Sequence, residues 1–252
     1  MTVPTLTFIH GFMGDPSDWD FVRAELSEYK STAPLIKPAR DWDSGVEKLM
    51  EELPRRSILV GYSMGARLAL AVALSRPEVC AGLVFVSGNP GIEDDEARRK
   101  RYESDCRIAD EIESVPRQDF LHQWYTQSTV FKSLTAGVRA DEIARKAAYA
   151  GDDWSAILRT YSVAMQPNYW PRLCELKMPV MAIAGMSDRK YANMIVKMDS
   201  ANISTRVVAS CGHIVHREQP HVFLHLMRAY LRAWPDTQAV GNEARSEDVL
   251  GI

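Results

Sequence analysis

Short apolar runs alternate with helical periodicities along the first ninety residues. Leu6-Thr7-Phe8-Ile9 is a brief β-rich run that meets His10-Gly11 at once, the pattern of a buried strand ending in a loop. Residues 19–29 then place Trp19, Val22 and Leu26 three or four apart, behind the helix-start signal Asp15-Pro16-Ser17. Residues 32–36 predict a short strand, and residues 46–53 a second amphipathic helix that Pro54 stops. Ser57-Ile58-Leu59-Val60 reads as another buried strand, residues 64–75 as an Ala- and Leu-rich helix, and residues 81–87 (AGLVFVS) as a strand closed by Gly88-Asn89-Pro90-Gly91. Strands alternating with helices imply βαβ units and a parallel sheet.

The alternation then stops. Residues 92–172 contain no strand-like apolar run; they are charged, helical in composition and carry Trp124, Tyr125, Phe131, Trp154, Tyr161 and Trp170. The pattern resumes at Pro179 with strands over residues 180–184 and 206–209. A final helix over residues 221–234 has Val222, Phe223, Leu226, Tyr230 and Leu231 at helical spacing. The expected organisation is therefore an α/β core from residues 1–90 and 173–235, a helical lid at 91–172, and a disordered polar tail at 236–252.

Composition narrows the function classes. Lys plus Arg is 30 and Asp plus Glu 33, a net charge of −3, which argues against a nucleic-acid binder. No apolar run approaches the roughly 20 residues of a membrane span. The N-terminus has no basic region ahead of its apolar run, so a cytoplasmic location is expected. Cys80, Cys106, Cys174 and Cys211 lie far apart with no CxxC or Cys/His ligand spacing, so reduced thiols and no metal site are expected.

The chemistry is carried by Gly61-Tyr62-Ser63-Met64-Gly65, a G-x-S-x-G between the strand SILV and the helix MGARLALAVALS. A serine there sits on a sharp strand-to-helix turn, with glycines leaving room for close strand–helix approach and the helix N-terminus adding N–H groups and a positive dipole. A serine needs an imidazole to become a nucleophile or base. Of six histidines, His213 follows the strand RVVA and precedes the last helix, and Asp188 follows the strand VMAIA by four residues. His216, three residues on, competes for the role of base; its other reading is a solvent-facing helix-start residue. An oxyanion site needs two N–H groups: Met64, next after the serine, supplies one, and Phe12 in the His10-Gly11-Phe12 loop is assigned the other. His10 itself is read as structural.

His10-Gly11, residues 61–65, Asp188 and His213 together resemble the α/β-hydrolase superfamily over most of residues 5–234. The resemblance implies the chain order nucleophile, acid, histidine, hence Ser63, Asp188 and His213 as a triad. It also implies a departure: that fold usually begins with a β-hairpin before the His-Gly strand, so the mostly parallel sheet is expected to lack its first two strands. GYSMGAR, SGNPG, WYTQSTVFKSL, SVAMQPNYWPRL and GHIVHREQP, in that order, are similar to the pyruvate-eliminating synthase family of menaquinone biosynthesis. That likeness implies a cofactor-independent carbon–oxygen lyase acting on a small-molecule polycarboxylate.

Several carboxylates need fixed cations, and Arg recognises them bidentately. Arg67, one helical turn beyond Ser63, points to the same end of the site; its alternative is a surface Arg on an amphipathic helix. By resemblance, Arg101 is the carboxylate ligand within Arg98-Arg99-Lys100-Arg101, and a third cation falls at Arg145-Lys146, with Lys146 favoured. Tyr62 faces the site in the elbow geometry. Trp124, Tyr125 and Phe131 either line the pocket or form the lid's own core. Two other readings stay open: a carboxylesterase or C–C hydrolase of the same fold, and a non-catalytic binding protein.

Overall fold

The computed structural model describes residues 4–149, 153–200 and 202–234, and the expected tail at 236–252 lies outside them. Six strands form one sheet: β1 (Thr5–Ile9), β2 (Ser31–Thr32), β3 (Ser57–Tyr62), β4 (Cys80–Val86), β5 (Val180–Gly185) and β6 (Ile203–Val208). Their order is β2-β1-β3-β4-β5-β6, and every pairing is parallel. β3 and β5 are buried along their whole length, as strands covered on both faces must be. No hairpin precedes β1 among the described residues.

Ten α-helices accompany the sheet in the described residues: α1 (Asp20–Glu25), α2 (Trp42–Glu52), α3 (Met64–Ser75), α4 (Asp95–Ser114), α5 (Arg117–Gln127), α6 (Ala136–Ala148), α7 (Trp154–Tyr161), α8 (Arg189–Lys197), α9 (Val215–Glu218) and α10 (Pro220–Ala233). α3 matches its expected span. α1 is shorter than its periodicity suggests, because Leu26 leaves helical geometry at φ −116°, ψ 33°. α2 begins earlier, at a capping box: the Asp41 carboxylate accepts from the Ser44 N–H at 2.9 Å and the Ser44 hydroxyl accepts from the Asp41 N–H at 3.1 Å. The expected strand at 32–36 shrinks to a two-residue pairing, since Pro34 and Pro38 cannot extend a ladder. β6 starts three residues before its apolar signal because its polar middle lies on the exposed edge of the sheet.

The helices α4–α7 and the carboxyl ends of the strands enclose one cavity of about 570 Å³. Two glycines let α3 sit where it does. A Cβ on Gly65 would lie 2.2 Å from the Ile9 carbonyl oxygen, and one on Gly61 would lie 2.4 Å from the Gly65 carbonyl. α3 therefore starts in direct backbone contact with the end of β1.

Gly65→Ala should destabilise by about 1–3 kcal/mol through overpacking against fixed backbone, a fall in Tm of roughly 3–10 °C for a chain of this size. Gly137→Ala, where an added Cβ meets nothing within 4 Å, should instead leave Tm unchanged or raise it slightly. Equal losses at the two positions would show that backbone contact at Gly65 is not the constraint.

Candidate active site

Five strand ends deliver the site. Ser63 follows β3 with φ 52°, ψ −108°, a positive φ that a non-glycine residue holds only under local constraint. Its N–H donates to the Val86 carbonyl at 2.8 Å, which pins the turn to β4. Met64 is the first residue of α3, so its N–H has no helical carbonyl partner. Phe12 follows β1 and lines the same cavity.

His213 Nε2 lies 3.1 Å from Ser63 Oγ, and His213 Nδ1 lies 2.6 Å from Asp188 Oδ2. An ionised Asp188 can only accept, so Nδ1 carries the proton and Nε2 is left to accept from the serine hydroxyl. The approach of these loops depends on Gly185, where a Cβ would lie 2.1 Å from the Gly212 carbonyl oxygen. The Ser187 N–H donates to the Cys211 carbonyl at 2.8 Å, drawing the Asp188 loop against the His213 loop. Asp188 stands behind His213; Ser63, His213, Phe12, Met64 and Tyr62 face the cavity.

The other histidines sort themselves by their partners. His10 is buried; its Nε2 accepts from the Ile36 N–H at 2.9 Å, so Nδ1 donates to the Gly11 carbonyl at 2.8 Å. It is structural, as expected. His216 is not solvent-facing: it is 3% exposed, stacked on Trp19 with ring centroids 4.2 Å apart, and edge-on to Tyr62. The sequence could not show this, because Trp19 is almost two hundred residues away. Burial pushes the His216 imidazole down to about 3.

The cations divide into two environments. Arg67 is buried and turned inward, not a surface arginine. It donates to the Tyr161 carbonyl at 2.6 Å and to Gln166 Oε1 at 3.2 Å, and its guanidinium lies over the Trp42 ring. Both hydrogen-bond partners are neutral. Among the described residues no carboxylate pairs with it, and burial, reinforced by Arg101, lowers it to about 10. Arg101 lines the cavity with its Nε 2.9 Å from Asp105. Lys146 also lines the cavity, whereas Arg145 does not, but both donate to Asp18. The expected third cation, Lys146, therefore reaches the cavity already paired with a carboxylate. Burial alone would raise the Asp18 carboxyl; Lys146 and Arg145 outweigh it and hold it below its ordinary value. Trp124, Tyr125 and Phe131 line the cavity, with Trp124 edge-on to Phe12 at 6.0 Å.

Sequence reasoning missed Gln166, Asp105, Asp18 and Tyr191. Asp105 stands four residues after Arg101 on one helix, a readable pair. Gln166 has no local signal: it is fully buried, bridging Arg67 and the Asn89 carbonyl. Tyr191 sits edge-on to His213 at 4.7 Å from an unforeseen helix, α8. Among the described residues no group of three or more His, Cys, Asp or Glu is placed to hold a metal ion, and the four cysteines are free thiols.

Residues 8–226 match the sequence model of the alpha/beta hydrolase family. The chain belongs to that family. It is similar to a 2-succinyl-6-hydroxy-2,4-cyclohexadiene-1-carboxylate synthase of Salmonella enteritidis PT4, with 31% identity over 231 residues, 86% of this chain and 89% of the relative. Among solved structures, MenH from S. aureus has a TM-score of 0.85 at 23% identity, covering 92% of this chain and 94% of that one. A thermophilic esterase from Thermogutta terrifontis has a TM-score of 0.72 at 20% identity, covering 92% and 90%. The two structures share the fold of this α/β hydrolase.

Buried His216 predicts acid sensitivity in this α/β hydrolase. Its folded pKa of about 3 lies below the ordinary 6.5, so the unfolded chain binds a proton that the folded chain refuses. Stability from this group is complete above pH 6.5 and is lost as pH falls toward 3, at about 1.4 kcal/mol per pH unit. His216→Gln should flatten the fall of Tm between pH 6 and pH 4 by an amount matching one imidazole. An unchanged pH slope would mean that His216 is hydrated in solution.

Proposed function

We propose that this chain eliminates pyruvate from 2-succinyl-5-enolpyruvyl-6-hydroxy-3-cyclohexene-1-carboxylate to give 2-succinyl-6-hydroxy-2,4-cyclohexadiene-1-carboxylate, as a cofactor-independent lyase. The enzyme relatives in menaquinone biosynthesis support the pathway. The observation that carries the reaction is Arg67: a buried guanidinium with neutral partners only, one helical turn from Ser63, on the wall of the cavity. A buried cation left without an acid is costly unless a ligand supplies the anion, and a polycarboxylate does so.

In this reading Ser63 Oγ gives its proton to His213 Nε2 and takes the ring proton beside the succinyl ketone. The C–H electron pair moves onto the ketone oxygen, which the Met64 and Phe12 N–H groups stabilise where the charge develops. Collapse of that enolate forms a double bond between ring carbons 2 and 3, shifts the existing ring double bond from carbons 3 and 4 to carbons 4 and 5, and breaks the C–O bond from carbon 5 to the enolpyruvyl group. The departing enolpyruvate takes the proton from His213 and tautomerises to pyruvate. Asp188 holds the His213 tautomer and stabilises the imidazolium. Arg67 and Arg101 bind substrate carboxylates; Lys146, already paired with Asp18, contributes less. Tyr62, Trp124 and Tyr125 form the apolar walls against the ring.

Ser63→Ala should lower kcat by on the order of 10³-fold, with His213→Ala equal to it and His216→Ala milder, since triad members act as one unit. A crippling His216→Ala beside a mild His213→Ala would reassign the base. The lyase is separated from an esterase by Arg67→Ala. Loss of a charge-assisted hydrogen bond should cut kcat/KM for the polycarboxylate by about 10- to 100-fold and leave a neutral aryl ester nearly unaffected. Arg67→Lys should restore part of the loss, since an ammonium keeps the charge but not the planar fork. Equal mutant-to-wild-type ratios for the two substrates would make Arg67 a support for the helix and favour the hydrolase.

A further inference from the structure

The loop that carries His213 is held by a carboxylate other than Asp188. Glu218 closes the single helical turn α9 and reaches back over it. Its Oε2 accepts from the Gly212 N–H at 2.8 Å and its Oε1 from the Ile214 N–H at 2.9 Å. One carboxylate therefore chelates the peptide groups on either side of His213. The carbonyl of His213 itself accepts from Ser87 Oγ at 2.8 Å, and Ser87 adopts a positive φ of 48° to present that hydroxyl. Three consecutive residues are thus fixed through their main chain before the ring makes any contact.

The same carboxylate touches the helical insertion. Ser133 Oγ donates to Glu218 Oε2 at 3.2 Å, and a Cβ on Gly212 would fall 1.8 Å from that Ser133 oxygen. The neighbouring Arg217 donates to Glu142 at 2.9 Å and to Asp141, both on α6. The turn α9 is tied on one side to the His213 loop and on the other to the helices over the cavity.

We infer that Glu218 is a positioning residue that fixes the His213 main chain and couples it, through Ser133, to the seating of the helical insertion. This rests on the reading of His213 as the base acting on Ser63. A charge-assisted hydrogen bond to a main-chain N–H is among the stronger contacts available, and a carboxylate is required: a carboxamide has one acceptor oxygen and would turn an N–H toward the second donor.

The test uses a fluorophosphonate that labels Ser63 irrespective of the natural substrate, together with steady-state turnover. Glu218→Gln should slow labelling and lower kcat by about 10-fold or more, with KM within about twofold of wild type and Tm within about 3 °C. Ser133→Ala should slow labelling in the same direction by a smaller factor. A purely structural role would move Tm and leave the labelling rate of the folded fraction unchanged. Labelling of folded Glu218→Gln at the wild-type rate overturns the inference. If Glu218→Gln does not fold, Ser87→Ala, which releases the His213 carbonyl alone, should slow labelling likewise, and wild-type labelling there overturns the clamp. A wild-type enzyme that is not labelled at Ser63 sinks the reading of the serine instead. The clamp is then judged by amide exchange: loss of Gly212 and Ile214 protection in Glu218→Gln supports it, and retained protection refutes it.

Discussion

Backbone meeting backbone without an intervening side chain is the constraint on which the site depends. The start of α3 rests on the Ile9 and His10 carbonyls because Gly65 has no Cβ, and the end of β5 rests on the Cys211 and Gly212 carbonyls because Gly185 has none. The first contact sets how far Ser63 projects beyond the sheet; the second sets how near the His213 loop comes to Asp188. Interiors packed at crystal density do not absorb an extra methyl group by drifting apart. The 2.6 Å and 3.1 Å separations around His213 therefore follow from glycine placement as much as from the attraction between the groups themselves.

Electrostatics adds a second layer. The cavity has one wall where charge is internally balanced and one where it is not. Around α6, Lys146 and Arg145 share Asp18, while Arg217 is paired with Glu142 and Asp141. These pairs join α6 to the segment before α1 and to α9, and they leave little net field for a ligand. On the other wall Arg67 is held by a carbonyl and an amide, dipoles that orient it without neutralising it. Arg101 is partly compensated by Asp105, which in turn accepts from Ser162 at 2.6 Å. The unbalanced positive charge lies along Arg67 and Arg101, so an anionic ligand is drawn toward the wall beside Ser63.

Legibility in the sequence follows the range of the interactions. β1, β3, β4, β5 and α3 are strongly patterned because both faces of each strand, or all of the helix, are buried; apolar content alone marks them. The turn between β3 and α3 that carries Ser63 is local, and Gly61-Tyr62-Ser63-Met64-Gly65 marks it in the sequence. β2 is marked only in part, since two residues paired to one neighbour leave a weak signal, and α8 has no capping side chain at its start to announce it. The fate of individual polar residues was least accessible. His216, Lys146 and Gln166 are each defined by partners more than seventy residues away, and nothing in their immediate neighbours records Trp19, Asp18 or Asn89.

That limit gives α9 its interest. Residues 215–218 are too short to be stable as an isolated helix, yet three successive side chains from it meet three different parts of the molecule. His216 stacks on Trp19 beneath the cavity, Arg217 pairs with α6, and Glu218 chelates the loop of His213. A turn with so little intrinsic stability takes its geometry from those partners. Two of its contacts, Arg217 to α6 and Glu218 to Ser133, run to the segment that lies over the cavity. The His213 loop and the helices over the cavity therefore share one short turn as an anchor, so the position of His213 beside Ser63 and the packing of α6 are set by the same few residues.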